Sequence, residues 1–366
     1  MKINKTKIVC IYFICICLFL CSCKGYTEIE NMDILTSHFV YGDGANIQLG
    51  GGIANVRSFS DSMADNPVNY INASAPTLHE ASQKLQLCAD HKLFYGSIRA
   101  LIIGENYAKN DVGEFFDYIY SLPDHRASVD VFTSSTPARE IVEYKAINDF
   151  SGGFAAESIV TTLQNDNSMI SCTLSDIWQA RLQENVGFVI PDIKISDDVM
   201  HINGYSIFKN EQMISQLGTA STNTLNFLLS KKAKATYTLT LDDKTTCNIT
   251  AIMTKKKIDV FEDETGLLNV DAPFSFDLKV TTNKADELTG AQKEYIKTYV
   301  SDKIKSEIMD AFYEAKRLGC DYLKLYSSYQ AKSRSRFYEL DWENLISSMN
   351  INTSVFIGKI QHDTVR

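Results

Sequence analysis

Two hydrophobic periods alternate along the chain. From Thr77 the period is helical: Ala81, Leu85 and Cys88 fall on one face. Thr77 and Glu80 have the capping-box spacing, in which each side chain satisfies an orphan backbone N–H of the first turn. Ala100, Leu101, Ile102 and Ile103 form an unbroken apolar run closed by Gly104, the pattern of a buried strand. Val112, Phe115, Phe116 and Ile119 stand at i, i+3, i+4 and i+7 and predict a helix over 112–121. Residues 129–133 read as a further strand. Thr136-Pro137 then predicts a helix start, with Thr as N-cap and Pro at the first helical position. Upstream, residues 33–57 hold two strand-like runs around the turn signal Gly42-Asp43-Gly44. Gly50-Gly51-Gly52 inside the second run indicates a bulge or a close backbone approach. Residues 151–191 show no clean period and are expected to be helix and loop.

The second half opens with strand-like segments over 202–209, 235–241, 247–253 and 273–281. In the last, Phe274, Phe276, Leu278 and Val280 alternate strictly, as in a half-buried strand. The longest helix is predicted over 289–318, with Ile296, Val300, Ile304, Ile308, Phe312 and Ala315 as its core face. Lys297, Asp302, Lys305 and Glu307 form its solvent face. Lys316-Arg317 in the last turn and Gly319 after it suit the helix dipole and a left-handed cap. A helix over 321–330, a short helix around Trp342 and a strand over 351–360 complete the pattern. The expected fold class is α+β and multi-domain: mixed sheets with packed helices, and the long helix lying against an antiparallel-rich sheet. An N-terminal α/β domain is expected over 33–198 and a C-terminal α+β domain over 199–366.

Composition narrows the function. With 366 residues, 45% hydrophobic and 22% charged, the chain is globular rather than disordered. A net charge of −9 argues against nucleic-acid binding, which needs clustered Lys and Arg. One long apolar run exists, 14 residues over 8–21, behind Lys2, Lys5 and Lys7. A bilayer span takes about 20 residues, so this run suits a signal peptide better than a membrane helix. Leu20-Cys21-Ser22-Cys23 follows and resembles a bacterial lipobox, with small Ser22 at the cleavage position. That resemblance implies a signal peptide over 1–22, diacylglycerol and an N-acyl lipid on Cys23, and a lipidated tether over 23–32. Losing the signal removes three lysines and no acid, so −9 becomes −12. Such a surface has little charge affinity for anionic lipid, and the acyl chains are expected to hold the membrane. Beyond Cys23 the cysteines are Cys88, Cys172, Cys247 and Cys320, with no CxxC among them. They are either two disulfides or small buried hydrophobes, and their wide spacing favours the second.

Catalytic motifs are missing: there is no GxSxG, HExxH, Walker A loop or complete GxGxxG. No cofactor or metal is expected, and the histidines (His38, His79, His91, His125, His201, His362) show no ligand spacing. Asp242-Asp243 and Glu262-Asp263-Glu264 read as acidic turns, and Lys255-Lys256-Lys257 as a solvent-facing run.

Several segments together resemble the Ger(x)C family, the lipoprotein C subunits of spore germinant receptors. They are the lipobox with Glu28-Ile29-Glu30, Thr77-Leu78-His79-Glu80-Ala81, Leu93-Phe94-Tyr95-Gly96, and Ile102-Ile103-Gly104-Glu105 with Ala108. Arg126, Ile202-Asn203-Gly204 with Ile207-Phe208-Lys209, Gly319-Cys320-Asp321 and Trp342 continue the series. The order and spacing of these segments carry the resemblance. Departures are Ser97, where the family has a histidine, Gly25-Tyr26 in place of Trp-Asp, and no arginine near Tyr120. The resemblance implies a non-enzymatic subunit at the inner membrane of a spore, partnered by polytopic A and B subunits. It makes Gly104, Glu105, Arg126, Gly204, Phe208 and Trp342 structural candidates. Glu105 and Arg126 are expected to pair or to bond local backbone. A substrate-binding lipoprotein of a transporter and a lipid-anchored enzyme are the alternative functions.

Overall fold

The computed structural model describes residues 29–43, 45–55, 67–122, 124–146, 151–183, 186–242, 244–282 and 287–364. Ser22 and Cys23 lie outside the described residues. The first part of the chain runs β1 (Met32–Gly42), β2 (Ile47–Ala54), β3 (Val68–Ala75), α1 (Leu78–Leu87), β4 (Lys92–Phe94), β5 (Ala100–Gly104), α2 (Glu105–Ala108) and α3 (Gly113–Ser121). It continues through β6 (Asp130–Ser134), α4 (Ala138–Val142), α5 (Gly152–Asn165), α6 (Leu174–Arg181), β7 (Phe188–Ser196), β8 (Val199–Lys209) and β9 (Gln212–Gly218). These nine strands form one mixed sheet in the order β3-β2-β1-β5-β6-β7-β8-β9, with β4 beside the start of β1. Its centre, β1-β5-β6-β7, is parallel. All five residues of β5 are buried, as a parallel strand covered on both faces requires. Leu101 and Ile103 pack with Leu85 of α1, Phe115 of α3 and Ile177 of α6. Ala100 and Ile102 face the opposite core, with Ile141 of α4 and Val160 of α5.

Beyond α7 (Thr222–Leu229) a second sheet forms from β10 (Lys234–Thr240), β11 (Thr246–Lys256), β12 (Asp259–Glu262) and β13 (Leu268–Thr282). After α8 (Gly290–Leu318), α9 (Leu325–Lys332), α10 (Arg334–Phe337) and α11 (Trp342–Ser348), β14 (Asn350–Thr364) returns parallel to β13. The other pairings are antiparallel. The core of this sheet, which includes Ile249, Phe276 and Ile304, is continuous with the Ala100/Ile102 core of the first.

Helix α8 follows its sequence signals closely. Thr289 and Gln292 form a reciprocal capping box, and Gly319 closes the helix at φ 55°. The six predicted core-face residues are buried. Glu307, expected to face solvent, instead accepts a hydrogen bond from the Tyr237 hydroxyl at 2.9 Å. At Gly50, Gly51 and Gly52 an added Cβ would lie 2.2–2.6 Å from Ile71, Ser37 and Val68 atoms, so close approach is the reason for the glycine run. A bulge also sits opposite, between Leu35 and Ser37.

Other expectations are corrected. Thr136 does not cap α4, whose N-cap is Pro137. Its hydroxyl accepts the Ile195 N–H instead, joining β6 to β7. At α1 only half of the capping box forms: Thr77 accepts the Glu80 N–H, while the Glu80 carboxylate pairs with Lys84. Residues 151–191 contain α5, α6 and the start of β7, beyond the expected helix and loop. Lys256 is half-buried and donates to the carbonyls of Leu228 and Ser230, where it caps the end of α7. The boundary at 198/199 falls in a two-residue hairpin, with Asp197 and Asp198 at φ 50° and 59°. The ladder runs on across it, so β8 and β9 extend the first sheet.

Ile304 is fully buried in the middle of α8. Ile304→Asp is expected to destabilise the protein by about 4 kcal/mol, the cost of an uncompensated buried charge. Lys305→Asp, one residue along on the exposed face, should change little. Thermal denaturation followed by circular dichroism distinguishes them, and equal melting temperatures would place Ile304 outside the core.

Candidate interaction site at the sheet end

Strands β1, β5 and β6 end together at Gly42, Gly104 and Ser134. In open α/β sheets the carboxyl ends of parallel strands are where ligands and partners meet the fold. A recess of about 360 Å³ opens there, lined by Tyr41, Gly42, Asp43, Asn46, Glu105, Asn106, Ser134 and Ser135. Gly42 turns out of β1 at φ 119°, where a Cβ would lie 2.1 Å from the Asn46 carbonyl oxygen. Gly104 leaves room for the Tyr41 ring, whose Cδ1 would stand 2.5 Å from an added Cβ. The Tyr41 hydroxyl donates to the Thr136 carbonyl at 2.8 Å, and burial raises its pKa further above the ordinary phenol range. Asp43 accepts the N–H groups of Asn46 and Ala45, which hold its carboxyl below the usual range.

Glu105 begins α2 and pairs with Lys109 at 2.6 Å. Ser134 donates to the Ile193 carbonyl at 2.6 Å, which commits its hydroxyl to backbone. Behind the recess lies buried Asp192, held by Asn203 at 2.9 Å and Thr133 at 3.1 Å. Burial pushes the Asp192 carboxyl upward, those two donors oppose the shift, and the Glu105 charge adds to it. The recess therefore offers carboxylates, amides and hydroxyls on a rigid sheet end. That chemistry suits recognition of amide, ammonium or guanidinium groups. Among the described residues no cluster of three or more His, Cys, Asp or Glu could hold a metal ion.

Of the structural candidates, only Gly104 and Glu105 lie here. Arg126 sits at the other end of β5 and donates to the Ile98 carbonyl at 2.7 Å. It bonds a carbonyl distant in sequence rather than local backbone, and does not pair with Glu105 because β5 separates them. Gly204 occupies β8 at φ 134°, with Leu217 O 1.9 Å from a Cβ position. Phe208 stacks on Phe188 at 5.1 Å, and its carbonyl accepts the Cys320 thiol at 3.6 Å. Trp342 donates its indole N–H to Asp321 at 3.0 Å. These residues join elements of the fold rather than line the recess.

Sequence patterning gave no sign of a second polar feature, the pair His38 and His125. Their rings lie 6.1 Å apart, and Tyr95 packs against both. Phe115 and Tyr118 complete the surround of His38. All four imidazole nitrogens are buried without a hydrogen-bond partner among the described residues. Burial, and then the neighbouring His125, lower His38 to about 3, against a small opposing influence of the Gly50 backbone. Burial lowers His125 to about 4. Elsewhere, His79 meets Gln83, and His91 bonds Asp33. Cys172, Cys247 and Cys320 are buried, but Cys88 is exposed, against its expected burial. Cys88, Cys172 and Cys320 carry free thiols.

Comparison with known proteins bears on both halves. Residues 25–195 match the model of the spore germination protein N-terminal domain. Residues 203–361 match that of the spore germination B3/GerAC-like C-terminal domain. A Bacillus subtilis (strain 168) protein described as "Putative spore germination protein YfkR" is 27% identical over 146 residues, which is 38% of each chain. The match thus spans well under half of that relative. The crystal structure of the GerBC protein superposes with a TM-score of 0.56 over 88% of this chain and 96% of that one, at 11% identity. The fold is shared at a sequence distance where few side chains are.

Two predictions follow from the geometry. Between pH 6.5 and about 4 the unfolded chain binds protons at His38 and His125 that the folded chain excludes, so stability present above pH 6.5 is lost on acidification. Asp130, raised to about 7 chiefly by burial, acts in the opposite sense, because the folded chain keeps its proton. The difference between wild type and His38→Leu isolates the histidine. From pH 7 to pH 5 the wild-type melting temperature should fall further than that of His38→Leu, and parallel slopes would show that His38 is not held neutral. At the recess, Glu105 makes an exposed i,i+4 pair worth about 0.3–0.5 kcal/mol. Glu105→Ala should therefore leave the melting temperature nearly unchanged. A drop of many degrees would make Glu105 a structural residue instead of a surface for recognition.

Proposed function

We propose, since this chain belongs to the GerAC family of spore germination proteins, that it is the lipid-anchored C subunit of a nutrient germinant receptor. It works without catalysis, beside two polytopic membrane subunits, A and B, at the inner membrane of the spore. The observation that carries this is the succession of two family domains over 25–195 and 203–361, the first beginning just after Cys23. Among the described residues no helix is long and apolar enough to cross a membrane. In this proposal diacylglycerol and the N-acyl chain on Cys23 supply the attachment, because two chains anchor stably where one does not. Anchoring confines the C subunit and its partners to one thin layer, which raises their effective concentration without a new contact. The acceptor-rich recess at Glu105 and Asp43 is a surface on which donor groups of the polytopic subunits dock.

The test has two arms. Metabolic labelling with a palmitate analogue should mark the wild type and Cys21→Ala but not Cys23→Ala. Label persisting in Cys23→Ala overturns the anchor. Capture of the lipoprotein from spore inner membrane should bring down polytopic proteins, with recovery reduced several-fold for Cys23→Ala. Capture that yields no polytopic partner overturns the receptor role.

A further inference from the structure

A larger cleft, of about 540 Å³, opens between β7 of the first sheet, the connection from α5 to α6, the link after α7 and the turn after α8. Buried Cys172, Phe188 and Tyr322 stand on its floor, and polar Asn167, Ser171 and Ser230 share the lining. Its rim carries Lys231 and Lys232, from the link between α7 and β10, and Lys324, from the start of α9. All three lysines are exposed, and none of their ammonium groups has an ion pair or hydrogen bond among the described residues, while the Lys324 carbonyl accepts from Ser327. Nearby lysines with structural work differ: Lys234 pairs with Asp166, and Lys256 caps α7. Lys324 also stands at φ 59°, a left-handed conformation in which glycine or asparagine is the unstrained choice. Its positive charge reaches the floor, where it opposes the upward shift that burial gives the Cys172 thiol. The carboxylate on the lining, Asp176, is engaged by the Thr173 N–H at 2.9 Å and hydroxyl at 2.6 Å. Three unpaired cations around one cleft are unexpected in a chain of net charge −9. The volume lies within the range of about 300–1,000 Å³ usual for small-molecule sites.

We propose that this cleft binds a small organic carboxylate, with its charged group at the three lysines and its apolar body on the floor. The site is separate from the sheet-end recess and independent of the receptor role. It can therefore be tested on the full-length chain in detergent, without partner subunits. Ligand-observed NMR would titrate acetate, hexanoate, phenylacetate and indole-3-acetate against their neutral amides. At least one acid with an apolar body should bind saturably, and about tenfold or more tighter than its amide, the weight of a hydrogen bond to a charged group. Binding should weaken as salt is raised, because the lysines are exposed. It should also fall about tenfold or more in the triple variant Lys231→Ser, Lys232→Ser, Lys324→Ser, whose surface positions leave the fold intact by circular dichroism. Equal binding of acid and amide, unchanged affinity in the triple variant, or no saturable binding by any of the four acids would overturn the assignment.

Discussion

Asp321 is fully buried, and its carboxylate accepts the N–H groups of Leu325 and Tyr326 and the indole N–H of Trp342. Burial pushes this carboxyl upward on balance, and the hydrogen bonds it accepts oppose that shift by favouring the ionised form. In one position it starts α9, seats α11 and ends the turn that follows α8. The same turn reaches the first sheet: the Asp321 carbonyl accepts the Gly187 N–H, and the Cys320 thiol meets the Phe208 carbonyl. At Gly187 an added Cβ would lie 2.3 Å from the Cys320 sulfur, so this approach admits no side chain. The turn after the long helix is thus joined to the first sheet by buried polar contacts, beside the apolar core that the two sheets share.

Two openings differ in character. At the carboxyl ends of β1, β5 and β6, the Tyr41 hydroxyl ties β1 to the segment after β6 and the Ser134 hydroxyl ties β6 to β7, beside the polar recess. The larger cleft lies beside the Asp321 turn, with Tyr322 on its floor and Lys324 on its rim. One is rich in acceptors and the other in cations. A protein with both can meet a basic partner surface at one place and an organic anion at another. In the proposed role of a lipid-anchored subunit, such surfaces would carry function without catalysis.

The buried histidines place a different constraint on the fold. An unpartnered polar group in an apolar surround costs about 1–3 kcal/mol, and the His38 and His125 rings accept that cost as neutral groups. Their neighbours are mainly aromatic, and offer ring faces and edges in place of hydrogen bonds. His38 belongs to β1, at the centre of the first sheet, so its protonation would act on the strand that supports Tyr41 and Gly42.

By itself the sequence determined the parts whose causes are local. The bounds of α8 rest on Thr289, Gln292 and Gly319, all within a turn of the helix ends. Burial of β5 and alternation in β13 come from unbroken and period-two apolar patterns, which need no knowledge of partners. The order of segments that marks the family is also linear information. Tertiary structure decided the rest. Strand β9, with polar Gln212, Ser215 and Gln216, is a strand because β8 pairs with it. Thr136 left its helix for β7, Lys256 left solvent for the end of α7, and Glu105 and Arg126 went to opposite ends of one strand. Apart from Glu105, which pairs with Lys109 four residues on, each outcome depends on a backbone group distant in sequence. Hydrophobic periodicity reports which face a residue turns inward, but not which distant atoms will be waiting there.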